Sequence, residues 1–248
     1  MRRVIIVQAR MTSTRLPGKV LMDVAGQPML ARQLRRLKQC TLADDIVVAT
    51  TTNAIDDPVV ELAHREQLGC FRGSEQDVLA RYLGTAREAK ADVVIRVTAD
   101  CPLIDPQITD CVIRELTDHA MECDYASNIL RRTYPRGLDV EAFFWDTLLR
   151  IDRLAQSDAA REHVTIVPRS EHPELFLCRS VEDNQNNSDL RWTVDTVADL
   201  EFVRHLYQAL DLDKRSAFYR EILSFVRSHP DLSCSDAGFE TWDPTRKI

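Results

Sequence analysis

Val4-Ile5-Ile6-Val7-Gln8-Ala9-Arg10-Met11-Thr12-Ser13-Thr14-Arg15-Leu16-Pro17-Gly18-Lys19 is the stretch on which the reading of this chain turns. Its apolar start, through Ala9, is short and continuous rather than alternating, the pattern of a strand buried on both faces. A polar loop follows, with three cations, Arg10, Arg15 and Lys19, inside ten residues. A loop leaving a buried strand offers backbone N–H groups together with side-chain charge, which is what a triphosphate needs. Guanidinium groups grip phosphate oxygens in pairs, whereas the Lys19 ammonium acts as a compact point charge. Gly18-Lys19 runs into Val20, and no glycine stands five residues before Gly18, so this is not a Walker loop. The competing reading is a solvated basic loop that holds nothing.

Outward from that loop the first half alternates strand-like and helix-like segments. Pro28–Cys40 carries Met29, Leu30, Leu34 and Leu37 at helical spacing. Ile46–Ala49 predicts a second buried strand, and Asp57-Pro58 a helix start, Asp as N-cap, running through Gln67. Cys70-Phe71-Arg72 is a short third strand, and Ser74-x-x-Asp77 resembles a capping box for a helix to about Ala89. Val93–Val97 reads as a fourth strand and Asp105-Pro106 as another helix start. Strands joined by crossover helices are parallel, so the order predicts a doubly wound α/β sheet with ligands outside the carboxyl ends of its strands. The second half is less regular. Leu138–Phe143 alternates, with Asp139 and Glu141 on one face; Leu175–Val181 and Leu190–Val194 read as strands; Val197–Leu210 and Ser216–Ser228 read as closing helices. Glu182–Asp189 is a polar loop, and the last dozen residues read as a surface tail.

Length and composition narrow the class. At 248 residues, a single domain over 1–248 with an elaborated region at about 123–190 is the economical organisation. The net charge of -7 argues against a general polyanion binder, so no nucleic-acid partner is expected. The apolar run after Met1-Arg2-Arg3 is too short for a signal peptide, and no segment approaches the roughly 20 apolar residues of a membrane span. The seven cysteines are scattered without a C-x-x-C pair, which reads as reduced, mostly buried thiols in a cytoplasmic protein without zinc.

Two aspartates stand where strands end. Asp100, in Thr98-Ala99-Asp100-Cys101-Pro102, would face the ligand crevice and hold Mg²⁺ against phosphate oxygens, unless it is merely a turn residue before proline. Asp195 closes a strand before a helix. Thr196-x-x-Asp199 supplies a capping box of its own, which would leave Asp195 free for metal. Tyr134–Glu141 offers Arg136, Asp139 and Glu141 to a polyhydroxylated, anionic acceptor; the plain alternative for Glu141 is the polar outer face of an edge strand.

Arg10–Leu21 resembles the nucleotide-binding signature of CMP-Kdo synthetase and, more loosely, of CMP-sialate synthetase. Taken whole, the chain resembles the cytidylyltransferase-like family named after spore coat polysaccharide biosynthesis protein F. The segments Val7–Leu21, Arg72–Leu79, Thr98–Leu103, Tyr134–Glu141 and Arg191–Leu200 carry the resemblance, in order, over about the first four-fifths of the chain. Two positions depart from CMP-Kdo synthetases: Gln8 stands in place of a proline, and Ala99-Asp100-Cys101-Pro102 in place of Gly-Asp-Glu-Pro. The resemblance implies a nucleotide-diphospho-sugar transferase (Rossmann-like) fold, a mostly parallel central sheet with helices on both faces. It implies that Arg10, Arg15 and Lys19 hold a triphosphate, CTP being favoured. Gln8, Ala9, Gly73, Ser74 and Thr98 would complete the nucleotide site, with Asp100 and Asp195 as metal ligands. Homodimerisation through the second-half insertion is also implied.

The expected activity is therefore Mg²⁺-dependent transfer of a nucleoside monophosphate onto a sugar or sugar-acid acceptor with pyrophosphate release, serving surface polysaccharide or modified-sugar synthesis. Arg15, Lys19 and Asp100 are the expected catalytic residues, since positioning and charge neutralisation do the work of phosphoryl transfer. Rival readings are a glycosyltransferase on the same fold, for which Asp211-Leu212-Asp213 is the clear D-x-D candidate, and a non-catalytic nucleotide-binding partner of a polysaccharide-assembly system.

Overall fold

The computed structural model describes residues 1–232. The first strand, β1 (Arg3–Gln8), forms where the apolar run predicts it. Ile5 and Val7 enter one core, Val4 and Ile6 another. Successive strand side chains point to opposite faces, so four consecutive apolar residues mark a sheet covered on both sides. All four are fully buried, each contributing about 1.5–3 kcal/mol.

After the basic loop and a 3₁₀ turn at Lys19–Leu21, a small hairpin, β2 (Asp23–Val24) and β3 (Gln27–Pro28), leads into α1 (Met29–Leu37). Then come β4 (Asp45–Thr51), α2 (Asp57–Arg65), β5 (Gly69–Gly73), α3 (Val78–Glu88), β6 (Val93–Thr98) and α4 (Pro106–Asp118). The remaining strands and α-helices of the described residues are β7 (Tyr125–Ser127), β8 (Glu141–Phe144), α5 (Trp145–Leu154), α6 (Asp158–His163), β9 (Cys178–Ser180), α7 (Val197–Ala209) and α8 (Tyr219–Ser228). The seven-stranded sheet has the order β5-β4-β1-β6-β8-β7-β9. β5, β4, β1 and β6 pair in parallel, β8 runs against both of its neighbours, and β9 pairs in parallel with β7.

Side chains of α1, α2 and α4, such as Leu34, Leu62 and Val112, cover one face with Ile5 and Ile95. Tyr82 of α3, with Leu148 and Ile151 of α5, covers the other. A third core gathers Leu138, Trp192 and Val194 under Val203 of α7 and Ile222 of α8. That core ties α7 and α8 to Leu16 and Leu103, on the loops that leave β1 and β6. No helix among the described residues is long and apolar enough to cross a membrane.

Several local expectations shift. α2 starts at Asp57 itself, and the preceding Asp56 spends its carboxylate on the Met11 N–H (2.7 Å) and the Thr51 hydroxyl instead of capping. Asp77, not Ser74, is the N-cap of α3, accepting from the Ala80 N–H at 2.8 Å. Leu190–Val194 makes one bridge, Arg136 to Arg191, rather than a ladder. Its backbone divides among three partners: Leu190 N–H donates to Asn187 O (3.2 Å), Trp192 N–H to Arg136 O (2.6 Å) and Val194 N–H to Asp100 O (2.9 Å). The Thr196–Asp199 capping box of α7 is present as expected. Of the six described cysteines, all free, only Cys101 and Cys123 are buried, fewer than expected. The surface tail lies outside the described residues.

Candidate active site

The carboxyl ends of β1 and β6 lie side by side, Gln8 opposite Thr98, and the loops leaving them face one cleft. A cavity of about 230 Å³ there is lined by Gln8, Ala9, Arg10, Ser13, Thr14, Arg15, Lys19, Val20, Thr98, Ala99, Asp100 and Asp195. The loop is held from both ends. Gly18 adopts a left-handed φ of 72° and donates to Met11 O at 2.8 Å, while buried Asp56 accepts from the Met11 N–H. Glu75 anchors the outer edge, bonded to the Thr12 hydroxyl and the Asn53 amide, with the Arg10 guanidinium 3.8 Å away.

Lys19 lies at the centre of the charged cluster. Its ammonium, 8% exposed as a residue, donates to Val194 O (2.7 Å) and Asp195 Oδ1 (2.8 Å), and reaches Asp100 Oδ2 at 3.3 Å. Burial works against its charge, but Asp100 and Asp195 more than offset this and raise its pKa above the ordinary lysine value. Asp100 is the reverse case. Burial would raise its pKa, yet Lys19, the Thr98 hydroxyl (2.6 Å) and the Cys101 thiol (3.4 Å) hold it below the carboxylate norm. Asp195 is shared further: Arg15 Nη2 reaches Oδ1 at 2.7 Å and Arg191 Nη2 reaches Oδ2 at 2.6 Å. Arg191 is buried and also binds Asp199 at 2.6 Å. The cations expected to grip a triphosphate are thus interleaved with the aspartates expected to hold a metal.

Among the described residues no group of three or more His, Cys, Asp or Glu side chains is arranged to hold a metal. An all-protein cage is therefore absent from that part of the chain. Asp100 and Asp195 still meet on one ammonium, so their oxygens address a common volume beside the cleft. Two hard carboxylates beside a basic cleft would suit Mg²⁺, which keeps several waters and takes other ligands from substrate phosphates.

A second cavity, about 170 Å³, shares Thr98 with the first and is lined by Arg96, Thr98, Ile129, Arg132, Arg136, Asp139, Glu141 and Arg169. Arg132 grips Asp139 with two bonds, 2.6 and 2.8 Å. Glu141, 2% exposed, is not on an edge strand, because β8 lies between β6 and β7. It pairs with Arg96 and accepts from the Tyr125 and Thr165 hydroxyls, each at 2.5 Å. With its oxygens so engaged, Glu141 braces the arginines of this wall. Gly137 (φ 108°) lets the Tyr134–Glu141 segment touch Trp192 and Thr193, where a Cβ would stand 2.7 Å from the Trp192 carbonyl carbon.

The structure therefore brings together Gln8, Ala9, Arg10, Arg15, Lys19, Thr98, Asp100 and Asp195, and next to them Arg136, Asp139 and Glu141. Gly73 and Ser74 do not line the cleft. Gly73 O accepts from the Thr52 N–H, Ser74 O from Arg81, and their neighbour Glu75 makes the contact with the loop instead. Sequence reasoning passed over Asp56, Glu75, Arg96, Arg132, Arg169 and Arg191. Only Arg191 carried a signal, four residues before Asp195. The D-x-D candidate lies elsewhere: Asp211 pairs with Lys214 at 3.0 Å, and Asp213 lines neither cavity.

The likeness to known proteins fits this geometry. A model of the cytidylyltransferase family matches residues 4–222. Spore coat polysaccharide biosynthesis protein SpsF of Bacillus subtilis is 32% identical over 91% of this chain and 94% of its own length. The structure of a cytidylyltransferase from Leptospira borgpetersenii serovar Hardjo-bovis superposes with a TM-score of 0.90 at 30% identity, covering 97% of this chain and 100% of that one. CMP:2-keto-3-deoxy-manno-octonic acid synthetase, solved with CTP, superposes with a TM-score of 0.67 at 20% identity over 85% of this chain and 100% of that one. That last likeness gives the nucleotide-diphospho-sugar transferase fold, which the one reversed strand in an otherwise same-sense sheet also describes. With a family match spanning β1 to α8 and a full-length relative at this identity, the chain belongs to the cytidylyltransferase family.

Proposed function

We propose that this protein transfers a cytidylyl group from CTP to an anionic, hydroxyl-rich acceptor of the sugar or sugar-acid type, releasing pyrophosphate, with Mg²⁺ as cofactor. The observation that carries this reading is the pair of adjoining cavities joined at Thr98. One has a basic loop facing two aspartates. The other sets four guanidinium groups against two carboxylates and so carries surplus positive charge. The name of SpsF supports a role in polysaccharide biosynthesis, and the CTP bound to the synthetase relative supports the choice of base.

In this reading Asp100 and Asp195 hold Mg²⁺, which when bound neutralises the triphosphate and fixes its orientation. Arg10, Arg15 and Lys19 take the β- and γ-phosphates, and Arg15 and Lys19 stabilise charge as it builds on the leaving pyrophosphate. Gln8, Ala9 and Thr98 line the approach to the α-phosphate, while the turn at Gly73 and Ser74 flanks the nucleoside by way of Glu75. Arg136 and Asp139 bind the acceptor so that its oxygen attacks the α-phosphorus in line. The region at about 123–190 serves acceptor binding and homodimerisation within one domain, in the cytoplasm.

Pyrophosphate release measured with CTP, UTP, GTP or ATP against keto-sugar acids, sugar phosphates and phosphorylated alcohols tests the activity. Thermal melting with CTP and Mg²⁺ tests the site. A Mg²⁺-dependent shift with CTP, lost in Asp100→Ala, is expected. No shift with any triphosphate would overturn the reading.

A further inference from the structure

A third cavity, about 210 Å³, opens between α1 and the turn joining α7 to α8, and shares no lining residue with the two described above. Among the described residues, five cations and a single acid, Asp213, stand in its wall. Three of these cations have carboxylate partners: Arg35 with Glu66, Lys214 with Asp211 and Arg215 with Glu221.

Arg32 and Arg36 differ. Each is 6% exposed, and neither has a carboxylate within ion-pairing distance among the described residues. Arg32 donates to the carbonyls of Val24 (2.9 Å) and Ala25 and lies over the Tyr207 ring at 5.4 Å. Arg36 donates to the carbonyls of Ile104 (2.7 Å) and Ala217 (2.9 Å). Burying a cation against neutral partners is costly unless an anion completes it. Two such guanidinium groups on one helix face, four residues apart, present paired donors to a phosphoryl group.

The same walls hold the segment that carries Asp100. Arg36 binds Ile104 O, the Tyr207 hydroxyl binds Pro102 O (3.0 Å), and Gln33 of α1 binds Thr98 O (2.7 Å). We propose that this cavity is an effector site for a small phosphorylated anion, and that its occupancy steadies the Thr98–Ile104 segment and with it Asp100. The site stands independently of the acceptor and nucleotide assignments.

Arg36→Gln would be the direct test, but it strips two buried carbonyls of a donor and endangers folding. The exposed rim, Lys214 and Arg215, carries the test instead (side chains 73% and 46% exposed). Inorganic pyrophosphate is titrated calorimetrically, in EDTA, into Arg15→Ala/Lys19→Ala protein, whose catalytic cleft has lost two of its three loop cations. One saturable site is expected. Adding Lys214→Glu/Arg215→Glu should weaken it about tenfold or more, the scale of losing a charge-assisted bond, with the melting temperature retained. Amide hydrogen exchange across Thr98–Ile104 should slow on binding. Absence of a saturable site, indifference to the rim reversal, or unchanged exchange in that segment would each overturn the proposal.

Discussion

Replacing Lys19 with Ala separates what this residue does for folding from what it does for turnover. Its ammonium is held by Val194 O, Asp195 and Asp100. In its absence Asp195 keeps Arg15 and Arg191, whereas Asp100 keeps no cation among the described residues, being left with the Thr98 hydroxyl, the Cys101 thiol and a backbone N–H. The loss therefore falls on Asp100. Breaking a buried ion pair costs about 3–5 kcal/mol. The Asp100 side chain is 26% exposed, which places the cost near 3 kcal/mol. For a chain of this size that corresponds to a fall in Tm of roughly 6–12 °C. Turnover, read as pyrophosphate release at saturating CTP, should fall roughly 10²–10³-fold, the scale of one well-aimed electrostatic donor. The third readout is the most specific. An ammonium between two carboxylates competes with a divalent ion, so Mg²⁺ alone should raise the Tm of the variant more than that of the wild type. Equal Mg²⁺ shifts in the two proteins, or turnover within about threefold of wild type, would refute the reasoning.

Arg15→Ala should slow turnover by a similar 10²–10³-fold while leaving the Tm nearly unchanged, because its half-exposed pair with Asp195 is worth only about 0–1 kcal/mol; a large loss of stability would recast Arg15 as structural. Glu141→Gln should cost about 3–5 kcal/mol at neutral pH, by breaking the buried pair with Arg96. Burial acts against the Glu141 charge, but Arg96 and Arg169 outweigh it and depress its pKa. Its contribution is therefore complete above the unfolded carboxylate value of about 4.3 and is lost as pH falls through the lower folded value. Urea unfolding should show the gap between wild type and variant narrowing below about pH 4, and a gap that widens there would be incompatible with this sign. Gly137→Ala forces a Cβ to 2.7 Å from the Trp192 backbone at a φ of 108°, so a loss of at least about 1–3 kcal/mol from strain alone is expected in the same assay.

What the sequence disclosed follows from which contacts are local. β1, β4 and β6 announce themselves because a strand buried on both faces shows a run of consecutive apolar residues, broken in β6 only by Arg96 before Thr98, and Ile5 and Val4 feed opposite cores. Asp105 and Thr196 announce helices because capping is settled within four residues. The clustering of Arg15, Lys19, Asp100 and Asp195 was accessible because each stands just past a strand end or an apparent one. β7 was not, since three residues are too few to show a period. Leu190–Val194 misled for a related reason: Trp192 and Val194 alternate toward a core, but that core belongs to α7 and α8, and no strand among the described residues lies alongside to build a ladder. The supports of the site were hidden by distance along the chain. Asp56 holds Met11 across 45 residues, Glu75 holds Thr12 across 63, and Arg96 holds Glu141 across 45. A carboxylate whose partner is that remote looks, in sequence, like any surface acid.

The charge of the two cavities argues for an order of selection. Around the cleft, Arg15, Lys19 and Arg191 interlock with Asp100, Asp195 and Asp199. Three cations against three anions bury at moderate cost because each charge meets its opposite. Such a cluster resists a ligand of one sign. A bare triphosphate meets the two carboxylates, and a bare divalent ion meets the ammonium and the guanidinium groups. On the proposed function, a ligand carrying both signs, a triphosphate already bearing its metal, would satisfy both halves as they part. The neighbouring cavity is different in kind. Asp139 pairs with Arg132, and Glu141 serves both Arg96 and Arg169, so that with Arg136 four guanidinium groups stand against two carboxylates. That surplus demands no metal, and on the proposed function an anionic acceptor would meet it on its own. The sharing of Thr98 by the two cavities places the interlocked cluster and the more positive cavity at a common boundary, which under the proposed reaction is where the transferred phosphoryl group would pass from donor to acceptor.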